Sequence, residues 1–252
     1  MSFLKKKDLK KHYEGVIEPF RIIGNVYFVG TYPASSHLID TGDGLILVDT
    51  GYADTLFLLV NSIYSLGFSP YDIRYIIHTH WHGDHTEGTA ALAHLTGAKT
   101  LIGHKDVPKA EKYFKADIAL KDGDIVELGN TKIEIMETPG HTEGCISLFF
   151  ETQDNGKAYK VGTFGGAGAN TLVEPWFDYD NCRADYLESI KRLRSKEVDV
   201  FIGNHVWNNE TEEKGELLRK TGENKFIDSQ IWNEFLDFCE DRLLGIMANE
   251  EK

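Results

Sequence analysis

The sequence predicts an α/β fold, and three observations point to it. Apolar runs of strand length recur along the chain, for example at 73–77 and 198–202. Segments whose apolar residues have helical spacing alternate with these runs, as at 56–66. No linker, low-complexity stretch or break in composition interrupts the alternation, so we expect one domain over residues 1–252. With 41% apolar residues, the chain can fill a core of that size.

The first predicted elements form the antiparallel part of a sheet and one helix. We predict strands near 20–30, 36–41 and 44–49. The first helix covers 56–66, with Asp54 at its N-cap and Gly67 at its end.

The later elements continue the alternation. We predict a strand at 73–77, a helix at 86–95, strands at 99–102, 125–128, 131–137, 145–151 and 158–162, and helices at 104–114 and 180–195. The last helix runs from about 225 to 247, and its apolar stripe consists of Ile231, Phe235, Phe238, Leu243 and Ile246. We expect this stripe to pack on the domain, with a dimer seam as the alternative.

The most informative segment reads HTHWHGDH at residues 78–85, four imidazoles and one carboxylate in eight residues. It follows the predicted strand 73–77 directly. Residues two apart on an extended segment point the same way, so His80 and His82 can aim at one point.

The second half of this segment supplies a neighbouring pair of ligands. Gly83 allows a sharp change of direction, which brings Asp84 and His85 round to a second point. Imidazole and carboxylate suit zinc and similar cations, so the segment predicts a two-metal site. The alternative is a set of surface histidines on a polar loop, but a His-x-His-x-Asp-His order after an apolar strand favours the metal site.

Two later histidines lie where further ligands are needed. His141 follows Pro139 and Gly140, which together make a stiff turn after the strand-like run 132–136. His205 follows the apolar run 198–202. Each histidine alone could be an ordinary surface residue, but all the segments cap a predicted strand, where open α/β sheets place their chemistry.

Composition narrows the partners of this chain. A net charge of −13 argues against nucleic acid, because phosphate backbones need a basic surface. The lysines at 5–7 and 10–11 form a basic start, but no apolar segment of a signal peptide follows them. No apolar stretch reaches transmembrane length. We therefore expect a cytoplasmic enzyme that contacts no membrane.

The cysteines agree with a reducing compartment. Cys145, Cys182 and Cys239 are an odd number without close spacing, so a disulfide framework is not expected. Cys145 lies near His141 in sequence, but we expect a small buried strand residue rather than a metal ligand.

These segments resemble the metallo-β-lactamase superfamily over nearly the whole chain. The resemblance begins with GNVYFVG at 24–30 and GLILVDTG at 44–51, and continues through the histidine segments. It implies an αβ/βα four-layer sandwich of two mixed β-sheets flanked by helices. It also implies that Asp49 supports the metal site from behind the ligands, whereas the local alternative is a strand-ending turn in which Asp49 binds backbone.

Details within the superfamily favour one branch. Hydroxyacylglutathione hydrolases and acyl-homoserine lactonases carry an aspartate that bridges both metals after a central strand. Here no aspartate and no cysteine occurs between Asp154 and Asp178. The chain is therefore most similar to the third β-lactamase subclass, whose ligands are histidine and aspartate only. Carried over by motif, the first zinc ligands are His80, His82 and His141, and the second are Asp84, His85 and His205.

The resemblance leaves substrate recognition open. The subclass usually offers serine or a similar polar group after the central strand, where this chain has the glycine-rich run 165–168. We expect the glycines to let the chain pass closely by the metals. Residues that flank the ligands and are expected to line the pocket, or alternatively to pack or cap loops, are Tyr32, Trp81, Asn204, Trp207 and Asn208.

The predicted function is that of a zinc hydrolase with two ions per chain. A hydroxide generated at the ions would attack a carbonyl, with Asp84 orienting it. The leading hypothesis is a β-lactamase-like enzyme that opens a lactam or related cyclic carbonyl. The alternatives are a cytosolic lactonase or thioester hydrolase and, from another class, a non-catalytic metal-binding protein. We expect a small-molecule substrate and a monomer or homodimer.

Overall fold

The computed structural model describes residue 3 and residues 6–250, so Lys5 of the basic start lies outside the described residues. Its strands are β1 (Phe20–Ile23), β2 (Val26–Phe28), β3 (His37–Asp40), β4 (Leu45–Val48), β5 (Ile73–His78), β6 (Lys99–Gly103), β7 (Ile118–Leu120), β8 (Ile125–Leu128), β9 (Thr131–Glu137), β10 (Ile146–Asp154), β11 (Lys157–Thr163) and β12 (Val200–Phe201). Its α-helices are α1 (Leu56–Ser65), α2 (Gly83–Thr86), α3 (Thr89–Thr96), α4 (Val107–Ala110), α5 (Cys182–Leu193), α6 (Thr211–Thr221) and α7 (Ile231–Glu250).

The strands form two mixed sheets. A seven-stranded sheet has the order β1-β2-β3-β4-β5-β6-β7, antiparallel from β1 to β4 and parallel from β4 to β7. A five-stranded sheet has the order β12-β11-β10-β9-β8, in which only the β11–β12 pair is parallel. The largest core cluster takes residues from both sheets, among them Phe28, Ile77, Leu148 and Val161, so the sheets pack face to face.

Helices cover the outer face of each sheet. Leu59 and Ile63 of α1 and Leu92 of α3 join a second cluster with residues of the seven-stranded sheet. Helices α5 and α7 bury Tyr186 and Phe235 against the five-stranded sheet. The order of layers is helix, sheet, sheet, helix, which confirms the predicted αβ/βα sandwich.

Three predicted elements differ from the structure, and two elements were not predicted. The strand expected at 20–30 is a hairpin, because Gly24 turns the chain with φ 50°. The helix expected at 104–114 is only the four-residue α4. The short strand β7 and the polar helix α6 were missed, and α7 begins at Ile231 rather than near 225. Helix α6 carries the polar sequence EEKGE after its first threonine, which gives no apolar period to detect.

The apolar stripe of the last helix packs within the chain. Ile231, Phe235 and Leu243 are buried, and Phe238 and Ile246 pack against the same cluster. The predicted packing of this stripe on its own domain is confirmed. No helix among residues 6–250 has both the length and the apolar character that crossing a membrane requires.

Candidate metal centre

Three loops bring the predicted ligands together at one end of the sheets. The segment after β5 carries His80 and His82, and the turn between β9 and β10 carries His141. The loop after β12 carries His205. All of these loops follow the carboxyl end of a strand, which is why residues far apart in sequence meet here.

The first predicted triad is assembled in the structure. His82 Nδ1 lies 2.9 Å from His141 Nε2. The ring centroid of His80 lies 4.8 Å from that of His82 and 4.7 Å from that of His141. One ligand atom from each residue falls within 4.8 Å of the other two, a spacing that a single cation can span.

In the second predicted triad, one carboxylate oxygen of Asp84 lies near both histidines. Asp84 Oδ2 lies 3.4 Å from His85 Nε2 and 3.7 Å from His205 Nε2. The His85 and His205 rings are 4.9 Å apart. His80 also comes within 4.8 Å of Asp84 and His85, so it lies between the two groups. We assign it to the first triad because His205 already completes the second.

The outer ring nitrogens of His141 and His205 are held by backbone carbonyl groups. His141 Nδ1 donates to the carbonyl oxygen of Gly168 at 2.9 Å. His205 Nδ1 donates to the carbonyl oxygen of Pro33 at 2.7 Å. These hydrogen bonds fix the orientation of both rings and leave their Nε2 atoms facing the cluster, as the ligands of a metal centre require.

Asp49 supports the centre from behind. Its carboxylate accepts from His85 Nδ1 at 2.8 Å, from the Thr79 backbone N–H at 2.9 Å and from the Thr79 hydroxyl at 2.8 Å. Burial opposes its ionisation, but His85 and His78 hold its pKa well below the ordinary value. Asp49 has φ 58°, an unfavourable backbone region that these hydrogen bonds maintain. Its partners extend beyond the local backbone, so the role implied by the family resemblance fits.

Two observations indicate that the cluster can bind a cation. His80 Nε2 and His85 Nε2 are buried, and neither has a hydrogen-bond partner in the described chain. A buried polar atom left unpaired costs about 1–3 kcal/mol, which a bound cation would remove. Burial and, to a smaller extent, the neighbouring imidazoles lower the pKa of His80 and of His141 well below the ordinary value. Burial lowers the pKa of His82 and the pKa of His205 to about 4. These four side chains are therefore neutral, the form that binds metal.

Asp84 and His85 carry the charges of the centre. Burial opposes ionisation of Asp84, yet the charge of His85 and then that of His205 hold its pKa far below the ordinary value. Burial disfavours the imidazolium of His85, but Asp84 and Asp49 raise its pKa to about 10. The second position thus attracts positive charge, and a metal ion there would replace the proton on His85.

A buried carboxylate that the sequence did not reveal ties the ligand loops together. Asp106 accepts from the Trp81 backbone N–H at 3.1 Å, from the Thr142 hydroxyl at 2.7 Å and from the Gly144 N–H at 2.8 Å. It links the loop of His80 and His82 to the turn of His141. Burial raises its pKa to about 6 against the opposing effect of these donors.

Asp106→Ala is expected to lower the free energy of unfolding of the metal-free protein by about 2–4 kcal/mol, because buried donors lose their acceptor. We also expect weaker zinc binding at the first triad. Chemical denaturation and zinc titration measure the two effects. The control is Asp117→Ala, which removes an acceptor for Thr100 and should leave zinc binding unchanged. An Asp106→Ala protein with wild-type stability and zinc affinity would contradict this role.

The glycine-rich run passes close to the ligands, as predicted. A Cβ on Gly166 would lie 2.4 Å from Cys145 Sγ and one on Gly168 would lie 2.9 Å from His141 Cε1. At Gly83 a Cβ would lie 2.7 Å from Glu87 Oε1, the end of a flexible side chain that can move away. The chain changes direction at Gly83, from extended backbone at His82 into α2, as predicted, although Gly83 itself has no positive φ.

Cys145 does not belong to either triad. It is buried directly before β10, and its sulfur lies 3.1 Å from the Thr142 hydroxyl. Burial, then the charge of Asp106, raises the pKa of its thiol well above the ordinary value. The residue is a small buried thiol, as expected.

Two cavities adjoin the ligands. A cleft of about 480 Å³ is lined by Trp81 and His82 together with residues from 170 to 178. A pocket of about 100 Å³ contains His205, Trp207 and Asn208. Asn170 lines both. Trp81, Trp207 and Asn208 therefore meet the expectation that they line the site.

Two other residues expected to line the site have structural contacts instead. Asn204 is buried and donates from its amide to the Gly165 carbonyl oxygen at 2.7 Å. The hydroxyl of Tyr32 accepts from the Lys7 backbone N–H at 2.8 Å. Neither lines the cleft or the pocket.

Comparison with solved structures finds the same architecture. The sequence profile of the metallo-beta-lactamase superfamily matches residues 29–205. The crystal structure of a subclass B3 metallo-beta-lactamase of Bradyrhizobium japonicum is similar, with a TM-score of 0.88 and 29% identity over 96% of this chain and 97% of that one. A class B3 di-zinc metallo-beta-lactamase from an Alaskan soil metagenome has a TM-score of 0.83 and 26% identity, over 96% and 99% of the two chains.

Curated relatives include other hydrolases. A hydroxyacylglutathione hydrolase of Chelativorans sp. is 32% identical over 145 residues, 57% of this chain and 51% of that protein. The chain thus spans about half the length of that relative. An N-acyl homoserine lactonase of a Bacillus species is 27% identical over 208 residues, which cover 69% of this chain and 82% of the lactonase.

Proposed function

Since the chain belongs to the metallo-beta-lactamase superfamily, we propose that it is a zinc-dependent hydrolase that opens a lactam or a related cyclic carbonyl. The observation that carries this proposal is the pair of triads, which contains histidine and aspartate only. Its support from comparison is the likeness to subclass B3 structures over nearly the whole chain.

Each of the two proposed zinc ions is assigned three protein ligands. His80, His82 and His141 would hold one zinc ion. Asp84, His85 and His205 would hold the other. Two zinc ions in such a site supply the acidity that generates a nucleophile from water at neutral pH and stabilises charge on the carbonyl oxygen.

The side chains around the ions would accept the proton and bind the substrate. The carboxylate of Asp84 is ionised and faces both His85 and His205, so it can accept a proton from water and orient it. Trp81 and His82 form a wall of the cleft in which the body of a substrate would lie. Asn170 lines both that cleft and the smaller pocket.

The region after β11 favours lactam hydrolysis over the alternatives. Hydroxyacylglutathione hydrolases and acyl-homoserine lactonases are expected to carry a metal-bridging aspartate after this strand. Here buried Phe164 follows it, and the glycine-rich run passes His141 with no carboxylate between Asp154 and Asp178 other than Glu174. The lactam hypothesis therefore remains the leading one.

A lactonase or thioester hydrolase is the second candidate function. The curated relatives of both names favour it, since they match long parts of this chain. The same six ligands could serve esters and thioesters, because the ions act on the carbonyl rather than on the leaving atom. A non-catalytic metal-binding protein is less well supported, since all predicted ligands are present and assembled.

A substrate panel tests the proposal. Zinc-loaded protein is assayed with nitrocefin, an N-acyl homoserine lactone and a hydroxyacylglutathione thioester under the same conditions. We expect nitrocefin to give the highest kcat/KM. A preference for the lactone or the thioester would transfer the assignment to that substrate. Stoichiometric zinc without turnover of any of them would support the non-catalytic alternative.

The two triads predict two zinc ions per chain. Each triad leaves coordination positions open for water, as catalytic zinc sites do. Elemental analysis of protein purified with zinc should approach two ions per chain, and dialysis against a chelator should remove activity. A firm value of one ion, with His205 free of metal, would contradict the dinuclear assignment.

A further inference from the structure

The pocket beside His205 is small and is lined by two cations and several aromatic residues. It holds about 100 Å³ and is lined by residues from both ends of the chain, including Lys6 and Arg242. Its volume is well below the roughly 300–1,000 Å³ of a pocket for a drug-sized ligand. It can take one substituent of a substrate whose body lies in the neighbouring cleft.

Two cations of this pocket are not in ion pairs. Within residues 6–250 neither Lys6 nor Arg242 forms an ion pair, although the chain has an excess of 13 negative charges. Neighbouring Lys7, by contrast, pairs with Glu212. Lys6 and Arg242 are close enough for their charges to interact: after burial, the charge of Arg242 lowers the pKa of Lys6, and the charge of Asp84 opposes this shift to a smaller extent. Two like charges that no ion pair neutralises attract an anion, and the carboxylate of Asp84, which acts on Lys6 from the metal centre, is assigned to the second zinc ion.

Lys6 is positioned towards the metal centre. Its Nζ lies 4.2 Å from the centroid of the Trp207 ring, and that ring stacks on His205 at 4.4 Å with an interplanar angle of 10°. The aromatic face fixes the ammonium through a cation–π contact. An anion bound by Lys6 would therefore lie next to the second triad.

The rest of the lining limits the chemistry of the ligand. Phe3, Phe235 and Phe238 form an aromatic wall, with ring centroids 5.4 Å and 5.1 Å from Phe3 to the other two. Asn170 is exposed and lines both the pocket and the cleft. A carboxylate on an apolar group suits this lining, because the guanidinium of Arg242 can bind its two oxygens and the rings can pack on its carbon atoms.

We propose that Lys6 and Arg242 bind the carboxylate of an anionic substrate whose carbonyl lies over the metal centre. This inference rests on the proposed hydrolase function and narrows its substrates to carboxylate-bearing molecules. It also supplies a polar contact that the glycine-rich run 165–168 cannot make with side chains. The two residues bind and position substrate and take no part in the proton transfer assigned to Asp84.

The kinetic test compares a free acid with its ester. Lys6→Gln, Arg242→Gln and the double variant are assayed with nitrocefin and nitrocefin methyl ester. For the acid we expect KM to rise about tenfold or more in each single variant, with kcat within a factor of about three, because a charge-assisted contact is lost from ground and transition states alike. KM for the ester should be nearly unchanged. Lys7→Gln removes the same charge one residue away and should behave as wild type.

A binding measurement separates this inference from the proposed function. Isothermal titration of zinc-loaded protein with phenylacetate and with phenylacetamide needs no turnover. We expect wild type and Lys7→Gln to prefer the acid, and the double variant to lose about tenfold or more of that preference. If no substrate is hydrolysed but this preference depends on Lys6 and Arg242, the pocket assignment stands and the hydrolase proposal fails.

The opposite result overturns the pocket assignment. Equal acid binding by wild type and the double variant would place the carboxylate on the zinc ions alone. Zinc content and denaturation midpoints of all variants are measured alongside, and neither side chain is fully buried, so folding is expected to be retained. Unchanged KM values for the acid in a variant with wild-type zinc content would overturn the assignment as well.

Discussion

His82→Ala is expected to abolish detectable turnover and to remove zinc from the first triad. The change leaves His80 and His141 as the only side-chain ligands there, and two ligands bind zinc poorly. His82 Nδ1 lies 2.9 Å from His141 Nε2, so the change removes one of the three imidazole nitrogens that meet in this triad. Elemental analysis and the rate with the best substrate of the panel measure the two effects.

His205→Ala is the informative comparison for His82→Ala. It should weaken mainly the second zinc ion and leave slow hydrolysis by a single ion, because the first triad remains complete. His94→Ala is the control, since His94 is an exposed residue of α3 outside both triads. Equal zinc content in wild type and both ligand variants would show that the histidine motif has been misinterpreted.

Much of this site could be predicted from local sequence. The order of histidines after β5 gives the ligands, because an extended segment followed by a helix start fixes where successive side chains point. His141 and His205 could be found in the same way, since each follows an apolar strand. The sandwich itself came from the family resemblance, and the alternation of apolar periods agrees with it.

The contacts behind the ligands could not be predicted. Asp106 stands in a polar stretch, and its hydrogen-bond partners lie 25 to 38 residues away along the chain. No local period indicates such a contact, because it depends on how β6 and the His141 turn come together. The same holds for Lys6 and Arg242, which come from opposite ends of the chain and meet only in the folded protein.

The contacts of Asp49 with the metal centre also explain its unfavourable backbone angle. Asp49 follows β4 directly and must reach both Thr79 and His85, so its position is set by the parallel pairing of β4 with β5. Three hydrogen bonds to a buried carboxylate offset the strain of φ 58°. The sequence motif DTG at 49–51 thus serves the metal centre as well as the turn.

Asp84→Asn is expected to lower kcat by about 10²-fold or more, the scale of a lost acid–base group held in position. Asparagine keeps the size of the side chain and one oxygen but loses the negative charge. That charge is built into the centre: Asp84 Oδ2 lies 3.4 Å from His85 Nε2 and 3.7 Å from His205 Nε2, and the pKa of Asp84 is far below its ordinary value. Without it the second zinc ion is held less tightly and the attacking water loses its proton acceptor.

The same variant should change KM by a smaller factor than kcat, because the walls of the cleft and the first triad are unaltered. Glu87→Gln is the matched control: it removes a carboxylate three residues further on, at the end of α2, that belongs to neither triad. Steady-state kinetics with zinc held in excess distinguishes loss of chemistry from loss of metal. If Asp84→Asn kept a near wild-type kcat under those conditions, Asp84 would be a structural ligand. The proton would then need another acceptor, and among the described residues of the two triads there is no other carboxylate.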